Sequence, residues 1–300
     1  MRSLYRSART LLAAGLAMAA CSPPGAQSSP TVARPVATPA CRPDPVVEGF
    51  VLAETIRCRW GVASQCGFAG AAYKHGVGVA RDLRRAREYF SRACDLGSQD
   101  DCVEFGLMML KLGEKARYPD LIPMWERACD RGSLAGCHAA GWGWALNAAE
   151  LGVATDVGRG RTFLSKACAA GYMLSCGVDA LVVAQTKDTA SYAAARTGLM
   201  KACDLLERES CHFLAQTELH GTFASKNETA AASHFWEACR LGWGPGCGAL
   251  AYMNAVGIGV PQNSEKARKL AEVYCNELHH EPACKALRTS DFTQLAPEVP

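Results

Sequence analysis

The run Gly70-Ala71-Ala72-Tyr73-Lys74-His75-Gly76-Val77-Gly78-Val79-Ala80-Arg81-Asp82-Leu83-Arg84-Arg85-Ala86-Arg87-Glu88-Tyr89-Phe90-Ser91-Arg92-Ala93-Cys94 decides the fold. Small and apolar residues at helical spacing lead into two glycines, which interrupt a helix. Asp82 then offers a side-chain oxygen to the unpaired N–H groups of a new helix. Along that helix Ala86, Phe90 and Ala93 return every three or four residues, and Cys94 closes it. The unit reads as helix, glycine turn, helix, cysteine.

Outward from this run the order returns. Six cysteine pairs share one spacing: Cys58 and Cys66, Cys94 and Cys102, Cys129 and Cys137, Cys168 and Cys176, Cys203 and Cys211, Cys239 and Cys247. A seventh, Cys275 and Cys284, is one residue longer. The pairs begin 36, 35, 39, 35, 36 and 36 residues apart, the length of a helical hairpin repeat. Twelve residues before the first cysteine of a pair stand Asp82, Asp156, Ser191, Asn227 and Asn263, all N-cap types. Eight before it come Ala86, Ala195, Ala231 and Ala267, and directly before it Ala93, Ala128, Ala167, Ala202 and Ala238. Three after it Gly61, Gly97, Gly132, Gly171 and Gly242 can take the left-handed conformation that ends a helix. Gly70, Gly106, Gly141, Ala180, Ala215 and Ala251, four after the second cysteine, allow close helix packing. Asp44-Pro45 caps a first helix near residues 45–57, and about fourteen helices are expected from there to Leu287.

These features resemble the Sel-1-like repeats, a branch of the tetratricopeptide-like solenoids, and among them the Helicobacter-type cysteine-rich proteins. The motifs that carry the likeness are Gly70-x-x-Tyr73-x-x-Gly76-Val77-Gly78-Val79-x-x-Asp82-x-x-x-Ala86 and Gly257-Ile258-Gly259-Val260-x-x-Asn263-x-x-x-Ala267. The fifth repeat keeps His220-Gly221 and Asn227 of that turn, and the second and fourth have lost it. The resemblance implies an all-α fold, an α/α solenoid superhelix of about seven disulfide-bridged repeats, over residues 46–288. Residues 289–300 have no pattern and are expected to fray as a C-terminal tail.

Sixteen cysteines need a chemistry. Zinc sites want cysteines separated by two to four residues, and no such pair occurs, nor does a Cys-x-x-Cys for disulfide exchange or haem attachment. No metal and no cofactor is expected. Bridges Cys58–Cys66, Cys94–Cys102, Cys129–Cys137, Cys168–Cys176, Cys203–Cys211, Cys239–Cys247 and Cys275–Cys284 are expected, one per repeat as in the resembled family. Each closes a loop of about nine residues and stabilises by about 2.5 kcal/mol in the chain-entropy model.

An export signal agrees with that. Arg2, Arg6 and Arg9 precede the apolar run Leu11–Ala20, so residues 1–20 read as a signal peptide. Ala19-Ala20-Cys21 resembles a bacterial lipobox, with Cys21 the lipidated residue; ordinary cleavage after Ala19 is the alternative. In the first case Cys41 is an odd thiol, and in the second Cys21 and Cys41 could pair. Residues 21–45 read as a Pro/Ser-rich tether, with seven of the 14 prolines in residues 22–45. Ser22 favours the outer membrane, so the expected place is the bacterial periplasm, with the membrane touched only through a lipid anchor.

Without the three signal-peptide arginines, 29 basic residues face 29 acidic ones, which argues against nucleic acid as a partner. No apolar run of about 18 residues follows the N-terminus, which excludes a helical membrane span. An enzyme finds little support. The resembled branch is filed as β-lactamase-like, yet no lysine has a serine three residues before it, and Lys-Thr-Gly is absent. Ser225-Lys226-Asn227 matches a serine-enzyme tripeptide but falls on a turn and N-cap. His75 and His220 precede the turn glycines, His138 and His212 follow second cysteines, and His279-His280 precede the last helix. The repeat explains their positions. Gly242, Gly244, Gly246 and Gly248 fall in a cysteine corner, not after a strand, so no nucleotide loop is read there. Phe90, Trp125 and Phe235 sit four before a cysteine as core residues, whereas Trp142, Trp144, Trp236 and Trp243 are either fillers or groove contacts. No catalytic residue is assigned. The expected activity is binding of a protein or peptide partner along the curved surface, with a weak β-lactam-binding or β-lactam-hydrolysing protein as the alternative.

Overall fold

A computed structural model describes residues 45–278 and 281–297. Residues 1–44, with the expected signal peptide, Cys21, Cys41 and tether, lie outside the described residues, as do His279, His280 and residues 298–300. The described residues divide into two compact units, one ending at Leu112 and the other beginning at Gly113. The first unit holds α1 (Pro45–Arg59), α2 (Ala63–His75), α3 (Leu83–Asp95) and α4 (Gln99–Leu112). The second begins with a 3-10 turn, Lys115–Asp120, followed by α5 (Leu121–Asp130), α6 (Leu134–Leu146), α7 (Val157–Ala169) and α8 (Met173–Thr186). It continues with α9 (Tyr192–Asp204), α10 (Arg208–His220), α11 (Glu228–Arg240) and α12 (Gly244–Val256). Then come α13 (Ser264–Leu278), α14 (Glu281–Thr289) and a 3-10 turn, Thr293–Leu295. No strand occurs among the described residues, and within each unit every helix packs on the one before it.

Each odd-numbered helix from α1 to α11 is joined to the next by a three-residue turn and a disulfide, and a disulfide also joins α13 to α14. The seven bridges, Cys58–Cys66 through Cys275–Cys284, span Cα–Cα distances of 4.5–5.0 Å. The backbone makes the same corner without them. In the second corner Gly97 N–H donates to Cys94 O (2.9 Å) and Ser98 N–H to Ala93 O (3.0 Å). Gly132/Ser133, Gly171/Tyr172 and Gly242/Trp243 repeat the pair. This is the Schellman closure, with the glycine left-handed at φ 94°, 93°, 94° and 79° in the four corners. The corner between α9 and α10 puts Leu206 in that place at φ 64°, where a side chain is strained.

The alternate turns are unbridged. Asp82, Asp156, Asn227 and Asn263 cap the following helices, accepting from backbone N–H groups at 2.8–3.0 Å. Ser191 differs from the expectation. It ends a 3-10 turn, Thr189–Ser191, in helical conformation, so its hydroxyl is not aimed at the next N–H groups and donates to Asp188 instead.

The small residues lie where helices meet. Ala86, Ala195, Ala231 and Ala267 are at most 5% exposed, and Phe90, Trp125 and Phe235 at most 2%. A Cβ on Gly141 would stand 2.6 Å from Leu164 and 2.8 Å from Gly160 O, so α6 and α7 touch backbone to backbone. Within the expected fraying tail, residues 292 and 295 are instead docked. Phe292 and Leu295 are buried with Tyr274, Ala283 and Ala286, because these two apolar side chains cover the last hairpin, which has no further repeat to cover it.

Candidate functional site

In the second unit, α6, α8, α10 and α12 turn their cysteine and the residue four after it into the core. At about 100° per residue the position five after the cysteine then points away. In the second unit that position holds Trp142, Leu181, Gln216 and Tyr252, one on each of α6, α8, α10 and α12, and all four are half-buried. α6 also touches α8, and α8 touches α10, so there the second helices form the inner layer. Val178 and Phe213, two after the cysteine, widen the row and are half-buried too. The row is apolar or amide in character and carries no charge of its own. Sequence reasoning passed over Leu181, Gln216 and Tyr252; only their shared register marks them.

Polar clasps flank the row. Glu126 of α5 accepts from Trp144 Nε1 (2.7 Å) and pairs with Arg159 (2.8 Å), whose guanidinium lies 4.6 Å from the Trp144 ring centre. Arg161 reaches Asp179 (3.0 Å) and Asp188 (2.7 Å). The nearly buried Glu218 takes His234 Nδ1 at 2.7 Å and Arg196 at 3.7 Å. Each clasp ties an odd-numbered helix to an even-numbered one.

In three pairs of neighbouring repeats the position after a second cysteine meets the position before the next repeat's second cysteine. His138 Nδ1 lies 2.9 Å from Ser175 Oγ. A Cβ on Gly177 would come within 2.8 Å of Ser210 Oγ, and one on Gly67 within 2.4 Å of Asp101. His212 Nδ1 has no partner among the described residues. The His212 ring packs on Phe235 (5.2 Å between ring centres) and Trp243 (6.5 Å). Burial lowers both imidazoles, His138 and His212, to a pKa of about 4, so both are neutral at pH 7.

The remaining sequence candidates are spread along the fold. His75 ends α2 and His220 ends α10, in different units. Asn227 of the Ser225-Lys226-Asn227 tripeptide caps α11, and Lys226 pairs with Glu228 at 2.7 Å. Trp236 is 46% exposed beneath Arg240, and Trp243 lies beneath Arg208. No group of three or more His, Cys, Asp or Glu able to hold a metal occurs among the described residues. No described helix is long and apolar enough to cross a membrane.

A disulfide-stapled array of helical hairpins with a conserved register of corners is the class of protein that these observations define. The family model for the Sel1 repeat matches residues 64–98, 139–172, 208–243 and 245–272, so the chain carries Sel1 repeats. No curated protein matches it. Among solved structures, it is similar to a protective antigen of uropathogenic Escherichia coli with an SLR fold. That likeness has 18% identity and a TM-score of 0.64, over 83% of this chain and 54% of the other. The chain therefore spans about half the length of that antigen, and the likeness is one of fold. Helicobacter pylori cysteine-rich protein B is 29% identical over 42% of this chain and 96% of its own, at a TM-score of 0.36. A Sel1 repeat protein of Oxalobacter formigenes is 19% identical over 81% of this chain and 80% of its own, at 0.39. Seven disulfides fit an oxidising compartment outside the cytosol.

Proposed function

We propose that this chain is a binding scaffold that holds an extended protein or peptide segment on the second helices of residues 113–297. The observation that carries this reading is the half-buried row Trp142, Leu181, Gln216 and Tyr252, one side chain per helix at one repeat position. A row without charge receives apolar and amide groups of a partner, and a stapled frame loses little entropy on binding. Solenoids commonly acquire specificity through such repeat-specific positions. We further propose the division into signal peptide 1–20, tether 21–45, repeat body 46–288 and tail 289–300. In this reading Cys21 is lipidated and the tether holds the body off the outer membrane, in the periplasm of a bacterial envelope.

The test places a photo-crosslinking side chain at Leu181 in the cell, with the exposed Lys201 of α9 as control. A recurrent envelope protein captured from position 181, absent from 201 and lost in a Trp142→Ala/Tyr252→Ala variant, supports the reading. Equal capture from both positions removes the row as the site.

A further inference from the structure

We propose that the outer face of α1 is a self-complementary contact, on which α1 of a second copy packs antiparallel. Six of the fourteen exposed large hydrophobic side chains of the described residues fall within residues 46–62, so the exposed apolar surface is concentrated on α1 and the turn that follows it. Val46 is 79% exposed, Ile56 43% and Trp60 78%. Phe50 leans on Phe68, with ring centres 5.3 Å apart, and is still 52% exposed. The opposite face of the helix, with Val51, Glu54, Thr55 and Cys58, is buried.

The face is not shaped for another repeat. Eight residues before the first cysteine, where later repeats carry the buried Ala86, Ala195, Ala231 and Ala267, α1 has Phe50. Directly before that cysteine, where they carry Ala93 or Ala128, it has Arg57. Both block the close approach that stacks one repeat on the next. Head-to-tail growth from this end is therefore prevented, and a two-fold contact is left.

Antiparallel pairing fits the residues, and parallel pairing does not. Down the centre of the exposed face the order is Gly49, Ala53, Ile56, Trp60, small at the N-terminal half and large at the C-terminal half. Antiparallel copies set the large half of each against the small half of the other; parallel copies set Trp60 against Trp60. Glu48 and Arg59 lie on one edge of the helix, eleven residues apart, and neither forms an ion pair with another described residue. About a dyad between Ala53 and Glu54, each Glu48 meets Arg59 of the other copy. The same dyad brings Phe50 beside the other Arg57, whose own chain holds it to Glu54 at 2.8 Å. Charge, size and aromatic–guanidinium contact all select the same orientation.

Sedimentation of the full processed chain tests this. A reversible dimer is expected between about 1 and 100 µM, the range of a single-helix contact. A side chain at position 49 meets nothing within 4 Å in the chain's own fold, so Gly49→Arg leaves the melting temperature undiminished while filling the contact. Gly49→Arg, Glu48→Arg and Arg59→Glu should each weaken dimerisation by about tenfold or more, and Glu48→Arg/Arg59→Glu should recover to within about threefold of the parent. The charge-reversed pair keeps the test open even if position 49 disturbs folding. A monomer throughout, or a dimer indifferent to all three changes, overturns the proposal. So does a monomer that dimerises only when residues 22–44 are deleted, since that segment would then be the occupant.

Discussion

Leu206 shows how strongly the corner dictates backbone at a single residue. Its φ of 64° is the conformation that glycine adopts in the equivalent corners, and its side chain is 60% exposed, so little packing offsets the strain. Leu206→Gly should raise stability by about 0.5–1 kcal/mol, the relief of left-handed strain less the added freedom of the unfolded chain. Urea melts of parent and variant measure it, and a loss of stability would mean that Leu206 packs where it stands exposed. Gly259 is the opposite case. At φ 66° a Cβ would lie 2.1 Å from Glu228 O, the backbone carbonyl at the start of α11. Gly259→Ala should cost roughly 3 kcal/mol, from strain and a backbone clash together, read from the same melts.

At the scale of the element, the bridged hairpin is the unit that the cysteine spacing announces. Corner, cap and small-residue positions were legible because each is imposed by the backbone: Asp82 must accept from N–H groups, Gly97 must be left-handed, and Ala86 must let another helix approach. Where sequence reading missed, no such rule operated. Ser191 has the right side chain for a cap, but a 3-10 turn gave it the wrong backbone. Phe292 and Leu295 belong to no repeat, and only the uncovered end of the last hairpin explains their burial. Leu181 and Gln216 are half-buried and lie off the core stripe of their helices, where packing constrains residue identity less, so their pattern says nothing before the register is known. The bridges can be tested apart from the backbone that surrounds them. Replacing Cys239 and Cys247 together with alanine should cost about 2.5 kcal/mol and leave the helix content by circular dichroism unchanged, because Gly242 and Trp243 still close the corner through Cys239 O and Ala238 O (both 2.9 Å). Loss of helix on that double replacement would make the disulfide, and not the backbone, the maker of the corner.

For the whole molecule, stability is a sum over repeats and the contacts between neighbours, so a perturbation shared by two repeats should appear in the global unfolding curve. His138 and His212 provide one. Each is half-buried at the seam between its repeat and the next, and desolvation lowers each from 6.5 to a pKa of about 4. In the unfolded chain both rings titrate near 6.5. Between those values the unfolded state binds more protons than the folded one, so stability is full above about pH 6.5, falls as the pH drops toward 4, and levels off below it. Full depression would be worth roughly 3 kcal/mol per ring, and about half of that remains after allowing for their residual exposure. Carboxylates held by ion pairs, such as Asp188 beside Ser191 and Arg161, lose their contribution lower still, since their pKa values are depressed below the ordinary range. The two effects separate in pH. Urea midpoints measured from pH 7.5 to 4.5 should fall steadily in the parent chain and less steeply in His212→Phe, whose aromatic ring keeps the contacts with Phe235 and Trp243 without a nitrogen to protonate. An unchanged slope in that variant would mean that His212 opens to water before the repeats come apart, and the seam would then be the first part of the solenoid to loosen.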